Sequence, residues 1–163
     1  MKKPRIKIPL TKIDWIMEVV GALFLILMIV CPWYYFDQLP EVIPTHFNIS
    51  GKPDGFGSKN TIWTLSLIGS ALYVGLSILN LFPNKFNYLT EINQENSEKQ
   101  YRLSTTLMRR IKLLIIVCFF YIEYGTIQVA IYNAEGLNAY FLPIFLIANL
   151  AVLGDYFYRV FRS

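Results

Sequence analysis

The chain's one histidine, His46, lies in a polar, turn-rich loop between two long apolar runs. A histidine can activate a hydroxyl as a general base, and Thr45 or Ser58 would then be the nucleophile of a membrane-embedded hydrolase. No Gly-x-Ser-x-Gly, His-Glu-x-x-His or phosphate-binding Gly-Lys-Ser/Thr pattern accompanies it. We therefore expect no enzymatic activity, and we expect His46 to hold the shape of the loop by hydrogen bonding. The residues that we expect to bind a ligand in this loop are His46, Asn48, Asp54 and Lys59.

A metal site at His46 would lack ligands. A zinc site needs three or four protein ligands, usually several His or Cys. Cys31 and Cys118 lie inside apolar runs, where thiols typically fill small gaps between helices. The sequence predicts no metal, no cofactor and no disulfide.

Glu123 stands in the middle of another apolar run. On an insertion scale a central acid costs about 3 kcal/mol, and each Leu, Ile, Val or Phe returns roughly 0.3–0.6 kcal/mol. An acid in such a place normally faces the interior of a helix bundle and has a partner there. The candidate partners are Asn149, at similar depth, and a polar stripe at helical spacing: Ser66, Ser70, Tyr73, Ser77 and Asn80. Two interpretations stay open, a protonated acid that fixes helix packing, or a proton- or ligand-responsive site.

Four apolar runs must position these residues. Hydrophobic residues make up 55% of the chain and charged residues only 16%, against about 25% in a soluble domain. Each run approaches the roughly 20 residues that a helix needs to cross hydrocarbon. The sequence predicts an all-α membrane protein with four transmembrane helices, at residues 15–36, 61–82, 111–132 and 138–158.

The cations of the chain alternate with these runs. Thirteen of the fifteen Lys and Arg residues lie in the N-terminal segment, after the second run, or in the C-terminal tail. This pattern follows the positive-inside rule, so it indicates membrane orientation and not binding to nucleic acid. Both termini are expected in the cytoplasm, with a structured extracytoplasmic loop between helices 1 and 2.

Two further charge arrangements are predicted near the cytoplasmic ends of the helices. Glu18 lies one turn inside the first helix, where it should reach cations, and Asp155 should pair with Arg159 four residues later. From about Asn93 the pattern becomes that of an amphipathic helix, which we expect at the lipid headgroups and continuous with the third span. The cations of that helix, among them Arg109 and Lys112, are expected on its surface.

The loop carries a family resemblance. The segments 39–48 (LPEVIPTHFN) and 51–59 (GKPDGFGSK) resemble the signature loop of an uncharacterised bacterial membrane domain, which also forms the N-terminal part of SdpI-like proteins. Those proteins confer immunity to a secreted killing peptide, and they carry further helices that this chain lacks. The resemblance implies a signature membrane domain at 1–115, followed at 116–163 by the C-terminal part of a helical hairpin. It implies no catalytic residues.

The sequence thus favours a non-enzymatic membrane protein that binds or senses an extracytoplasmic ligand such as a peptide, with immunity as one form of that role. The alternative is a small proton-coupled transporter, or an accessory subunit of one, that uses Glu123. The expected partners are the lipid bilayer, an extracellular peptide or another membrane protein, and a second copy of the chain in a homo-oligomer.

Overall fold

Four long helices account for most of the computed structural model, which describes residues 3–162. They are α1 (Lys12–Tyr35), α2 (Trp63–Leu79), α3 (Ser97–Tyr132) and α4 (Phe141–Phe161). With the short 3-10 turns that extend α1 and α2, all four are long and apolar enough to cross a membrane. The chain is a multi-pass membrane protein, and the four predicted helices are confirmed to within a few residues at their ends, except that the third begins at Ser97 and not near residue 111. Lys2, one of the cations used in the orientation argument, lies outside the described residues.

Helix α3 is the central element of the bundle. It packs against α1, α2 and α4, whereas α1 and α2 also pack on each other. Helices α1 and α2 are close at Gly69, where the end of the Met28 side chain packs and a Cβ would lie 2.9 Å from the Met28 Cε. Helix α4 lies at the edge of the bundle, where Leu146, Ile147 and Leu150 are exposed, as expected of a face that meets lipid.

Local sequence sets the start of α1. The Thr11 side chain accepts a hydrogen bond from the Asp14 N–H at 3.1 Å, and the Asp14 carboxylate accepts from the Thr11 N–H at 2.8 Å. This reciprocal capping box satisfies backbone donors that have no partner inside the helix. Asp14 is thereby fixed with its other carboxylate oxygen free to meet α3.

A β-hairpin joins α1 to α2. Strands β1 (Val42–Phe47) and β2 (Pro53–Ser58) pair antiparallel, with Ile43 opposite Gly57 and Pro44 opposite Phe56. The all-α prediction contained no strands here, because Pro44 in β1 and Pro53, Gly55 and Gly57 in β2 are typical of turns. Ile43 anchors the hairpin on the bundle in a core with Leu39, Ile62 and Ile127.

The tip of the hairpin contacts the α3–α4 loop. Gly51 has a φ of +79°, and its carbonyl accepts a hydrogen bond from the Leu137 N–H at 2.8 Å. A Cβ on Gly51 would lie only 2.1 Å from the Leu137 carbonyl oxygen. Glycine at this position is what allows the tip to lie against the loop. We call this end of the bundle the hairpin end and the opposite end the termini end.

At the termini end, the first turns of α3 are covered by protein. The Tyr101 hydroxyl donates to the Pro4 carbonyl at 2.9 Å, and the Tyr88 hydroxyl contacts Ser104 Oγ at 3.0 Å. Ser97, Tyr101 and Ser104 are buried. Helix α3 is continuous from Ser97 to Tyr132, so the predicted continuation into span three is confirmed. Segments 3–11 and 83–92 pack over part of its polar face, and the position of this first part at the headgroups stays a prediction.

Candidate ligand-binding cavity

A cavity of about 540 Å³ lies between the hairpin and the helices. Its walls come from β1, the start of α2, the second half of α3 and the α3–α4 loop. Most of the lining is apolar, contributed by Ile43, Phe47, Ile62, Leu65, Ile122, Leu137, Phe141 and Leu142. The polar lining includes Thr45, His46, Asn48, Thr64, Glu123, Thr126 and Asn138. A mostly apolar cavity with a few convergent polar groups is typical of small-molecule sites, which span about 300–1,000 Å³.

Glu123 is the buried acid in the wall of the cavity, and its side chain contacts Ser66. The residue is 1% exposed, and its Oε1 lies 2.5 Å from the Ser66 Oγ. The Ser66 Oγ also lies 2.7 Å from the Met28 carbonyl oxygen. A hydroxyl carries one hydrogen. If Ser66 gives its hydrogen to Met28, the short contact to Oε1 is satisfied when Glu123 carries a proton and donates it.

The other carboxyl oxygen of Glu123 has no partner. Within residues 3–162, Oε2 is buried and accepts no hydrogen bond. The nearby Thr126 hydroxyl donates to the Ile122 carbonyl at 3.0 Å, so its hydrogen is already used. A buried polar atom without a partner costs about 1–3 kcal/mol. Oε2 has almost no accessible surface, so a donor from a molecule in the cavity would remove that cost once the Glu123 side chain turns towards it.

The predicted polar stripe of α2 faces the other helices, but Asn149 does not reach Glu123. Asn149 Nδ2 donates to the Phe145 carbonyl of its own helix at 2.8 Å, because α4 lies at the edge of the bundle. Of the two predicted partners of Glu123, Asn149 and the polar stripe, the stripe makes the contact through Ser66, and Ser70 lies half-buried one turn further along. The Tyr73 hydroxyl contacts the Glu18 carbonyl at 3.1 Å.

His46 pairs with Asp54 at the rim of the cavity. The Nδ1 of His46 lies 2.5 Å from Asp54 Oδ1, across a β-bulge at Thr45. The two side chains are 71% and 44% exposed, so the pair contributes little to stability. It fixes the ring so that Nε2 stays available to a ligand. Ser58 lies three residues along β2 from Gly55, which is the residue opposite His46. At roughly 3.3 Å per residue that separation is about 10 Å, so Ser58 does not reach the ring.

Asn48 and Lys59 have structural roles in the hairpin. The Asn48 Oδ1 accepts hydrogen bonds from the Ser50 and Lys52 N–H groups at 2.9 and 3.1 Å, which shapes the tip. Lys59 pairs with Glu41 at 2.9 Å and lies over the Phe36 ring. Of the predicted ligand-binding residues, the structure places His46 and Asn48 in the cavity lining, Asp54 behind His46, and Lys59 outside the lining.

A second polar cluster lies in the bundle towards the termini end. Lys112 Nζ contacts Glu18 Oε2 at 2.6 Å and Ser77 Oγ at 2.8 Å. Arg109 contacts Asp14 at 3.4 Å and Glu18 at 3.3 Å. The expected cationic partners of Glu18 are thus present, and the predicted pairing of Asp155 with Arg159 is confirmed at 2.8 Å.

The burial of these two cations was not predicted. Arg109 and Lys112 were expected on a cationic surface, but both are buried between α1 and α3. A signal was present: Asp14 and Glu18 are four residues apart and Arg109 and Lys112 three apart, so each pair lies on one helical face. Oppositely charged pairs within two adjacent spans are expected to meet.

Acidic, thiol and imidazole groups are dispersed in the part of the chain that the structure describes. Over residues 3–162, no three His, Cys, Asp or Glu side chains gather as a metal site would require.

Tyr88 lies outside the membrane spans, and burial raises its pKa from the ordinary value of 10.0 to about 12.

Fold and site define a multi-pass membrane protein whose four-helix bundle is covered at one end by a β-hairpin, with a cavity beneath it. The model of a family described as a domain of unknown function (DUF1648) matches residues 23–69, which include the second half of α1, the whole hairpin and the start of α2. An uncharacterised protein of Archaeoglobus fulgidus is 27% identical over 126 residues, or 75% of this chain. The chain spans 57% of the length of that relative. No solved structure matches the chain.

Proposed function

We propose that this protein binds an amphipathic ligand, such as a segment of a peptide, in the cavity beneath the hairpin. The observation that carries the proposal is a mostly apolar cavity of about 540 Å³ with Glu123 in its lining, an acid whose Oε2 has no hydrogen-bond partner among residues 3–162. The ligand's apolar part would occupy the Leu65, Leu137 and Phe141 side of the cavity. Its hydrogen-bond donor, an amine or amide N–H, would reach Glu123, and a second polar group would meet His46 at the rim.

The proposed orientation puts the cavity on the outer side of a bacterial cytoplasmic membrane. The termini end carries the N-terminal cations, the cations of segment 83–112 and those of the C-terminal tail, whereas the hairpin carries only Lys52 and Lys59. This asymmetry supports cytoplasmic termini. A ligand would then arrive from outside the cell, and the protein would act by binding or sensing it without chemical conversion.

Immunity to a secreted peptide is one form of this role. The resemblance of the hairpin sequence to the signature loop of SdpI-like proteins supports it, and the apolar cavity would accommodate side chains of such a peptide. A partner in the membrane, including a second copy of the chain, would convey the bound state. The cellular test compares peptide sensitivity of a deletion strain that carries the wild type, His46→Ala or Asp54→Ala. Equal protection by all three would refute a role of the His46–Asp54 pair in immunity.

Binding is tested directly with a photoreactive probe. The purified protein in lipid nanodiscs is irradiated with a diazirine-bearing alkylamine, and labelled peptides are mapped by mass spectrometry. We expect labelling in segments 43–51, 61–65, 122–126 and 137–142, which line the cavity. Thr64→Trp, which places an indole in the cavity from an exposed position of α2, should abolish this labelling.

The matched control is Leu67→Trp, on the same helix but outside the cavity, at a position 69% exposed. It should leave the labelling pattern unchanged. If Thr64→Trp and Leu67→Trp behave alike, the labelling comes from lipid-facing surfaces and the proposed binding site is wrong.

Proton-coupled transport is a second candidate, favoured by the polar stripe of α2. At one end of the stripe Ser66 contacts Glu123. Further along α2, Tyr73 contacts Glu18 and Ser77 contacts Lys112. Between the two groups Met28 packs on Gly69, so a proton path would require Met28 to move. Proteoliposomes that contain a pH-sensitive dye test this. Glu123→Gln should abolish acid-driven dye response if the protein transports protons, and an unchanged response would exclude Glu123 from the path.

A further inference from the structure

A basic groove between α3 and α4 lies at the termini end, away from the cavity. Its volume is about 140 Å³, and its lining includes Arg102, Arg110, Asp155, Tyr156 and Arg159. Three arginines against one aspartate leave the groove positively charged. Glu98 also lies nearby, but its carboxylate is 4.0 Å from Arg102 and its side chain is 73% exposed.

Asp155 holds two of the arginines in place. Its Oδ2 accepts from Arg110 Nη1 at 2.5 Å, and its Oδ1 accepts from Arg159 Nε at 2.8 Å. A guanidinium has five N–H donors, and each of these arginines uses one of them to bind Asp155, so four N–H donors remain on each. The spare donors of two positioned guanidinium groups match the several oxygens of a phosphate.

The surroundings of the groove indicate what carries the phosphate. Its lining includes the apolar residues Leu103, Leu107 and Val152, and half-buried Phe145 and Ala148 continue the Val152 face of α4 towards the hairpin end. An apolar helix face in a membrane protein meets acyl chains, and a basic pocket at the end of that face lies where headgroups are. A lipid could therefore place its phosphate in the groove and its chains along α4.

We propose that this groove is a binding site for the phosphate of an anionic phospholipid, with Arg110 and Arg159 as the residues that hold it and Asp155 as the residue that positions them. The site is independent of the ligand cavity. It holds one lipid at a defined place on the bundle and thereby fixes α4, which otherwise packs mainly on α3, to the rest of the membrane-embedded protein.

The test is native mass spectrometry of the detergent-solubilised protein, titrated with dioleoyl phosphatidylglycerol or with dioleoyl phosphatidylcholine. The acyl chains are the same, so a difference reports the headgroup. We expect the first phosphatidylglycerol to bind about tenfold more tightly than phosphatidylcholine. The double variant Arg110→Gln/Arg159→Gln should reduce this preference to about twofold or less.

Arg162→Gln is the matched control, because Arg162 is a cation at the end of α4 that lies on Tyr158 and not in the groove. It should keep the tenfold preference. Arg159→Gln alone, at a side chain 56% exposed, provides a variant whose folding is not in question and should show an intermediate loss. Lysine at both positions, which keeps the charge but not the forked donors, should also weaken the preference.

Three results would overturn the proposal. The first is an unchanged preference in the double variant, and the second is an equal loss in Arg162→Gln, which would indicate a diffuse charge effect. The third concerns the source of the phosphate. If inorganic phosphate displaces phosphatidylglycerol at equal concentration, the groove is a site for the free anion and not for a lipid.

Discussion

Lys112→Met tests whether the buried charges at the termini end stabilise the bundle as a network. Lys112 is 3% exposed as a side chain and lies against Glu18, Ser77 and the ring of Tyr73. Methionine keeps much of the volume and removes the charge. Glu18 would then retain Arg109 at 3.3 Å but lose its shorter contact at 2.6 Å.

The magnitude follows from the burial of the pair. Removal of one partner from a buried ion pair costs about 3–5 kcal/mol, because the remaining charge is left without compensation. Glu18 is 25% exposed and keeps Arg109, so we expect the lower end, about 3 kcal/mol. For a chain of this size that corresponds to a fall in Tm of roughly 6–12 °C. Glu18→Gln combined with Lys112→Met should recover part of the loss, because neither charge then remains alone.

The assay uses the chain's own thiols. Cys31 is half-buried and Cys118 buried, and both are free, so a thiol-reactive fluorogenic dye reports thermal unfolding in detergent. Lys99→Met, at an exposed position of the same helix, should change stability by no more than about 0.5 kcal/mol. The reasoning is refuted if Lys112→Met has the same Tm as the wild type. It is also refuted if the double variant loses as much stability as the two single variants added together.

Three further outcomes are expected. Gly51→Ala should separate the hairpin tip from the α3–α4 loop, since alanine at a φ of +79° costs about 1–2 kcal/mol and its Cβ would lie 2.1 Å from the Leu137 carbonyl oxygen; hydrogen exchange should rise across residues 42–58. Asn48→Ala should raise exchange at the tip about fivefold, which corresponds to roughly 1 kcal/mol for its lost acceptor. Tyr88→Phe should cost about 1–2 kcal/mol, because the hydroxyl contacts the Pro83 carbonyl at 2.8 Å and Ser104 Oγ at 3.0 Å. Burial raises the pKa of Tyr88 from 10.0 to about 12, so the unfolded chain loses this proton first and stability should fall as pH rises from 10 to 12, less steeply in Tyr88→Phe.

Each of these has a control or a contrary result. Gly75→Ala, in α2 with open space around its Cβ, should stabilise the helix slightly, by about 0.5–1 kcal/mol. If Gly51→Ala and Gly75→Ala show the same exchange at residues 42–58, the tip contact does not hold the hairpin. Unchanged exchange at the tip in Asn48→Ala would show that the Oδ1 contacts do not shape it. If the stability of Tyr88→Phe falls as steeply as that of the wild type between pH 10 and 12, other tyrosines cause that fall.

The sequence alone determined the helices and the polar face of α2. Long uncharged runs predict membrane spans because a helix satisfies its own backbone groups wherever the chain meets lipid. Spacings of three and four residues determined that Ser66, Tyr73 and Ser77 share one face, and that Asp155 reaches Arg159. These are local properties of a helix, so they do not depend on how helices are arranged.

The tertiary structure decided which groups meet. Ser66 and not Asn149 contacts Glu123, because the positions of α2 and α4 around α3 determine which face is near. The strands of the hairpin escaped prediction because their pairing joins segments about ten residues apart, and Pro44 and Pro53 are typical of loops. Arg109 and Lys112 are buried for the same reason: helical spacing places them on one face of α3, but only the approach of α1 makes that face interior.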